Sequence, residues 1–429
     1  MRLIVLLRGA VLSSVVIAAL LSASPEDGAK SAAQLRLDAL NEQIRAAHTA
    51  GDARAYMARS RDMLEFLNAS PSSILQVMSA QAFSHDDEGA LASFEQFVAM
   101  GQSSPGTLES PVFADLRKSE RFKALEARMH ANEEPVARGS TVFEIQETGL
   151  VPEDIDYDPA TRRFYVSSVL KNKLLAFDTA GRGTVFAQAP DSLPAMALKV
   201  DPKRRRLWVT EVGLNGFASV ARQKWNTSVI LVYDLDSGHL IHRLEGPAHA
   251  TFGDLALTPD GDAIVSDNDG GVYRVDHETW RMERLDAGEF ISPQTPAVSP
   301  DGHSAYIPDY VRGIALLDLR TKSVTWMAGG HALSGIDGLY LTGRTLLATQ
   351  NGASPERVVR FELDKSMTRI VSESIIERAT PTLGDPTHGI VLDGFFYYIA
   401  NSGWDGLQDD GTAKPGSVPA RSRIMRVPL

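Results

Sequence analysis

Glu153, Glu211, Asp267, Asp309 and Asp337 stand at corresponding points of a pattern that recurs six times between residues 150 and 429. Each unit has a marked residue, a short apolar strand, a turn, and a second strand ending on another marked residue. The first set is Glu153, Met196, Gly253, Gln294, Asp337 and His388. The second is Ser168, Glu211, Asp267, Asp309, Asn351 and Ser402, with Asn401 as an alternative to Ser402, and partners lie 13 to 15 residues apart. Two carboxylates about 4 Å apart repel by roughly 1 kcal/mol in water, and by more in a poorly hydrated channel. Brought together, these acids and the adjacent Asp254 require a cation, shared protons or basic side chains reaching in. Joined by amide oxygens of Gln294, Asn351 and Asn401, they form the hard oxygen donor set that calcium or magnesium prefers. Zinc suits the set less, because the chain has no cysteine and His388 is the one histidine among the marked residues.

Local roles compete with this reading. Asp267 and Asp309 end strands before turns, where aspartate commonly bonds its own backbone, and Asp254 could cap a turn. Asp267-Asn-Asp-Gly270 resembles a calcium loop but lacks the following glutamate, so it reads as a hairpin turn. Glu153 and Asp337 stand apart. A charge on the innermost strand of a closed channel is costly unless paired or metal-bound.

The elements that position these residues follow from the repeat. Units of 40 to 60 residues are the sequence signature of a propeller. In a blade the second strand runs antiparallel to the innermost first strand, so both marked sets face one end of the central channel. Third strands recur at 174–178, 230–234, 272–276, 314–318, 358–362 and 424–428, with Asp-Pro, Pro-Asp-Gly and Thr-Gly turns between first and second strands. The sixth unit stops after its third strand, and Thr141-Val-Phe-Glu-Ile145 upstream can supply the missing fourth. Residues 141–429 therefore read as a six-bladed β-propeller closed by strands from both ends, which removes exposed edges. Two long connections, 212–228 and 403–416, belong to the mouth, and their Phe217, Lys224, Trp225 and Trp404 would shape a substrate pocket.

Residues 34–131 carry helical periodicity in pairs that loosely resemble tetratricopeptide repeats. Helices are expected over 35–44, 72–83 and 87–100, with Gly51-Asp52 ending the first and capping the next, and a shorter pair around 113–116 and 122–129. This small α-helical domain is either a docking module for a protein partner or a structural appendage of the propeller. The chain is then mainly β, with a polar linker at 132–140. At the N-terminus, Arg2 and Arg8 precede an apolar run to Leu21 and small residues, which reads as a signal peptide over 1–23, with an uncleaved anchor as the alternative. The expected address is the periplasm or outside the cell, by a Sec-type route, with no membrane span left after cleavage. Without Arg2 and Arg8, 41 Lys and Arg face 54 Asp and Glu, a charge of −13 that disfavours nucleic acid. No nucleophile elbow, P-loop, H-E-x-x-H or dinucleotide motif occurs.

Val151-Pro-Glu-Asp-Ile-Asp-Tyr-Asp-Pro159, Ser334-Gly-Ile-Asp-Gly-Leu-Tyr-Leu341, Asn351-Gly352 and the Ser-Pro-Asp-Gly turn together resemble the regucalcin, gluconolactonase and luciferin-regenerating-enzyme family. The resemblance spans about 141–429 and implies one divalent cation at the channel mouth, often calcium, with lactone or ester hydrolysis in many members. It implies as ligands a first-blade Glu, third- and fourth-blade Asn residues and a fifth-blade Asp, the last also acting as base. Glu153 and Asp337 match, while Gln294 and Gly253 stand at the two Asn positions, where Asp254 or Asp267 offers a substitute carboxylate. The expectation is a divalent-metal-dependent hydrolase of lactones or small esters. Glu153, Gln294, Asp337 and Asp267 would hold calcium, or else magnesium, manganese or zinc. Asp337 and His388 would move protons, and Glu211, Asp254, Asp309, Asn351 and Asn401 would contact substrate beside the lid residues. The alternative is a non-catalytic propeller that binds a small ligand or a protein partner.

Overall fold

The structure, a computed structural model, describes residues 30–429 apart from Gly329, so the signal peptide expected over 1–23 lies outside the described residues. Six four-stranded antiparallel sheets form a six-bladed β-propeller preceded by helices. The first strands of blades 1 to 5 are Pro152–Asp158, Ala195–Asp201, Phe252–Leu257, Ala297–Val298 and Gly338–Thr342. Blade 6 runs from Gly389–Leu392 through Phe395–Ile399 and Arg423–Pro428, and Ser140–Glu144 completes it from the other end of the propeller. First strands of neighbouring blades touch around the ring. At the closure Phe143 stacks on Phe177 of blade 1 (centroids 5.4 Å apart), and Arg423 pairs with Glu144 at 2.9 Å.

Burial explains the strand sequences. Middle strands such as Arg206–Val212 and Ser228–Asp234 are covered on both faces by neighbouring blades and read as near-continuous apolar runs. Outer strands such as Gly183–Gln188 are covered on one side at most and mix polar with apolar residues. Three first strands slip register at their mouth ends, between Pro152 and Ile155, Ala195 and Leu198, and Phe252 and Asp254. Such bulges re-aim side chains and leave a backbone N–H off the ladder. In blades 1 and 2 a second-strand hydroxyl takes it up, with Ser167 accepting from Asp154 N and Thr210 from Ala197 N, both at 3.0 Å.

Among the described residues six α-helices precede the propeller: α1 (Ala32–Thr49), α2 (Ala53–Phe66), α3 (Pro71–Phe83), α4 (Asp87–Ala99), α5 (Pro105–Leu108) and α6 (Glu120–Ala131). Ser31, Asp52, Ser70, Asp86 and Ser119 cap five of them through side-chain oxygens. The helix expected around 113–116 is instead two 3-10 turns, Pro111–Phe113 and Leu116–Lys118. Pro111 lacks the N–H that would carry α5 onward. The helices lie against the propeller. Ser31 Oγ donates to Phe290 O (2.6 Å) and Asn68 Nδ2 to Arg312 O (3.0 Å). The Arg312 guanidinium lies between Phe66 (4.4 Å) and Trp326 (3.9 Å). Arg357, fully buried, bonds Gln350 Oε1 (2.7 Å) and Met100 O (3.1 Å). These propeller residues lie in or beside the mouth-side connections of blades 3 to 5, so the helices cover that half of the mouth. Among the described residues no helix is long and apolar enough to cross a membrane.

Candidate functional site

Glu153, in the first strand of blade 1, meets Asp337 and His388, which immediately precede the first strands of blades 5 and 6, at the channel mouth, each with one ligand atom within 4.8 Å of the others. They are 5%, 2% and 1% exposed. The bulge in blade 1 aims Glu153 and its neighbour Asp154 at different partners. Glu153 Oε2 accepts from the Trp404 indole N–H (2.5 Å). Asp154 accepts from Lys199 Nζ (2.6 and 2.8 Å) and from the backbone N–H groups of Ile155 and Leu198 (2.8 Å each). The bulge in blade 3 similarly presents Asp254, which lies 2.9 Å from His388 Nε2 and accepts from Thr295 Oγ1 (2.6 Å). His388 Nδ1 lies 3.4 Å from Asp154 Oδ1 and Nε2 lies 3.7 Å from Asp337 Oδ1. Asn351 Nδ2 donates to Asp337 Oδ2 (2.6 Å), and Tyr310 donates to Asn351 Oδ1 (3.0 Å).

Four carboxylates thus face two internal cations. Burial works to neutralise His388, yet Asp154 and Asp254 hold its pKa well above the ordinary histidine value, so it carries a proton. Burial pushes Asp154 up, but Lys199 and His388 carry it below the usual carboxylate value. Asp254 is raised by burial, pulled back by His388 and raised further by Asp337. With Glu153 and Asp337 included, the cluster retains two negative charges when every acid is ionised.

The structure scatters the other sequence-derived candidates. Asp267 accepts from Thr251 N (2.8 Å) and Asp269 N (3.1 Å), holding its own hairpin, and burial with Asp269 raises its pKa to about 6. Asp309 accepts four backbone N–H bonds, from Ile291, Ser292, Val311 and Arg312. Gln294 turns its amide nitrogen to Ser292. Asn401 ties down the last strand through Arg421 O and Arg423 N. Lys224 Nζ donates to Asp191 O, and Trp225 Nε1 to Val220 O. Glu211 is buried with Asp191 and Tyr233 as neighbours, and burial followed by Asp191 raises its pKa to about 8. A folded-state pKa above the unfolded one means that stability falls as pH rises from about 4.5 to about 8. Glu211→Gln should therefore raise the melting temperature at pH 9 and change it little at pH 4. Equal shifts at both pH values in thermal melts would contradict this.

The two long loops form the other half of a roof. Ala218 N donates to Asp410 O (2.8 Å), and Phe217 meets Trp404 edge-on (6.1 Å). With Leu214, Val220 and Leu407 these rings bury Met196, the apolar position of the ring. The loops close over blades 6, 1 and 2 instead of framing an open cleft.

Asp154, Lys199, Thr295 and Asn268 were not picked out from the sequence. A Cβ on Gly253 would collide with the Asn268 amide, which, turned so that its nitrogen faces these acceptors, donates to Asp254 Oδ2 (3.3 Å) and Pro293 O (3.2 Å). The space of a side chain at 253 is thus filled from the next turn of the same blade. The one sequence signal for this was Gly253 itself.

The donor chemistry fits a hard divalent cation. Oxygens bound at about 2.0–2.6 Å place ligand atoms of one ion up to about 5 Å apart, as at Glu153 and Asp337. His388, with carboxylates at both ring nitrogens, fits as the proton-bearing neighbour rather than a ligand.

The chain matches no protein-family model and no curated protein. Its structural neighbours are propellers. A gluconolactonase from Xanthomonas campestris shares 17% identity with a TM-score of 0.47, over 70% of this chain and 92% of that one. A luciferin-regenerating enzyme shares 13% with a TM-score of 0.48, over 69% and 96%. An oxidoreductase described as a glucose dehydrogenase, from Thermus thermophilus, shares 15% with a TM-score of 0.47, over 68% and 99%.

Proposed function

We propose that the chain hydrolyses lactones or small esters outside the cytoplasm, using a divalent cation held by Glu153 and Asp337. The observation that carries this reading is the meeting of Glu153, Asp337 and His388 in one buried mouth. When bound, such a cation supplies Lewis-acid polarisation of the ester carbonyl. Asp337, oriented by Asn351, takes a proton from the attacking water as its oxygen bonds to the carbonyl carbon. The ring C–O bond breaks, and the leaving alkoxide takes a proton from His388. Asp337 then returns its proton to His388 across the 3.7 Å gap, leaving a hydroxy acid. Thr295 and Asp254 hold the imidazole at Nε2, and Asp154, itself bonded to Lys199, faces Nδ1 as a counter-charge at 3.4 Å.

The test joins metal analysis to turnover and melting. Purified protein is expected to carry about one divalent ion, and a chelator is expected to abolish lactone turnover. At 100 times its dissociation constant the ion contributes about 2.7 kcal/mol, so the chelated protein should melt lower. Full turnover with an unchanged melting temperature after chelation sinks the reading.

One observation favours a non-catalytic, ligand-binding propeller instead. The ring residues lie beneath a roof, and two internal cations already offset part of their charge. That reading expects no turnover across a lactone panel.

A further inference from the structure

A cavity of about 260 Å³ lies in the channel on the side away from the roof. Its inner end is lined by Lys199, Tyr340, Asp156 and Thr295, and its walls include Ala256, Leu257, Val298, Leu341 and Val391. Those five apolar residues are only half-buried, so the cavity opens to solvent past an apolar rim. They stand toward the far ends of the first strands, away from the bulges that build the acid cluster. The cavity and the cluster share a wall. Thr295 Oγ1 is bonded to Asp254, and Lys199 Nζ to Asp154.

Two donors remain for an occupant. Lys199 directs two of its three N–H bonds to Asp154. The Tyr340 oxygen accepts from Gly389 N (2.7 Å), which leaves its own proton to donate. Burial raises the Tyr340 pKa to about 12, so that proton stays in place at neutral pH. Acceptors are less available, because both Asp156 oxygens already take backbone N–H bonds, from Tyr157 and Val200. Charge narrows the class further. At this end the acids Asp154 and Asp156 are matched by the cations Lys199 and His388, so an anionic head group finds no unpaired positive charge, and a cationic one meets the ammonium directly.

We infer that this far end of the channel is a binding pocket for a small, neutral carbonyl compound. Its oxygen docks on Lys199 Nζ and the Tyr340 hydroxyl, and its apolar tail lies along the rim. The pocket is separate from the proposed hydrolytic mouth. A ketone has no bond to hydrolyse, so it probes the pocket independently of turnover.

The experiment titrates the full protein with 2-octanone by calorimetry, with octanoate and octylamine as charged analogues of equal length. The ketone is expected to bind at least tenfold tighter than either. Tyr340→Phe, which removes one hydroxyl, should weaken it by about three- to tenfold. Ala256→Phe, which fills the cavity, should abolish binding while leaving any lactone turnover at the mouth unchanged. Equal affinity for octanoate or octylamine overturns the neutral-carbonyl assignment. No heat with the ketone, or undiminished binding in Ala256→Phe, overturns the pocket. Should Ala256→Phe fail to fold, undiminished ketone affinity in Tyr340→Phe overturns the docking pose.

Discussion

Asp337→Asn is expected to lower lactone turnover by roughly two to four orders of magnitude while the protein stays folded. The asparagine oxygen can still accept the Asn351 amide bond that Asp337 Oδ2 receives at 2.6 Å, so the local packing survives. What disappears is the base, together with one of the two carboxylates that face a cation. The change also removes a negative charge that raises Asp254, so Asp254 should ionise at lower pH and grip His388 more firmly. Melting temperature is therefore expected to hold or rise slightly. Turnover rates measured beside thermal melts decide the matter. A variant with full activity removes Asp337 from the chemistry, and an unfolded one makes its role structural.

Lys199→Met should cost about 3–5 kcal/mol of stability, the range for removing one partner of a buried ion pair. Asp154 is wholly buried and Lys199 nearly so, and the methionine leaves that carboxylate with His388 and backbone N–H groups alone. The pH dependence follows from both shifts. Asp154 is held below its unfolded value, so its contribution is present above about pH 4 and is lost as acid protonates it. Lys199 is held above its unfolded value, so its contribution persists below about pH 10. The deficit should be full at pH 7 to 9, where the stranded carboxylate is ionised, and shrink toward acid, since burial no longer offset by Lys199 favours its protonation. Urea titrations at three pH values measure it, and a deficit under 1 kcal/mol at pH 7 would show that the pair does not hold the channel.

The architecture was legible because its signals are local and repeated. Turn residues, third strands and the orphan strand at 141–145 each carry their own period. Glu153, Asp337 and His388 could be aligned because first-strand positions recur. Asp154 could not, because strict alternation points the neighbour of a ring residue away from it and only the bulge brings it in, whereas Asp254 drew notice only because the ring position beside it is a glycine. Lys199 lies three residues beyond the ring position Met196, where the sequence reads as ordinary strand. Asp267, Asp309 and Asn401 serve their own loops, as their places before turns allowed. The helices' role in roofing blades 3 to 5 left no trace in a helical pattern, since amphipathicity does not say what covers the apolar face.

The sixth blade sets a timetable for folding. Its outer strand emerges early and waits for a partner synthesised some 280 residues later, as the Glu144–Arg423 pair measures. Contacts of that span are slow to form, since their loop entropy is lost before they stabilise anything. Until those two strands pair, the ring is open between blades 6 and 1, the blades that carry His388 and Glu153. Ring closure and assembly of the buried acid cluster are therefore linked, because Glu153 and His388 belong to the two blades that meet at the seam.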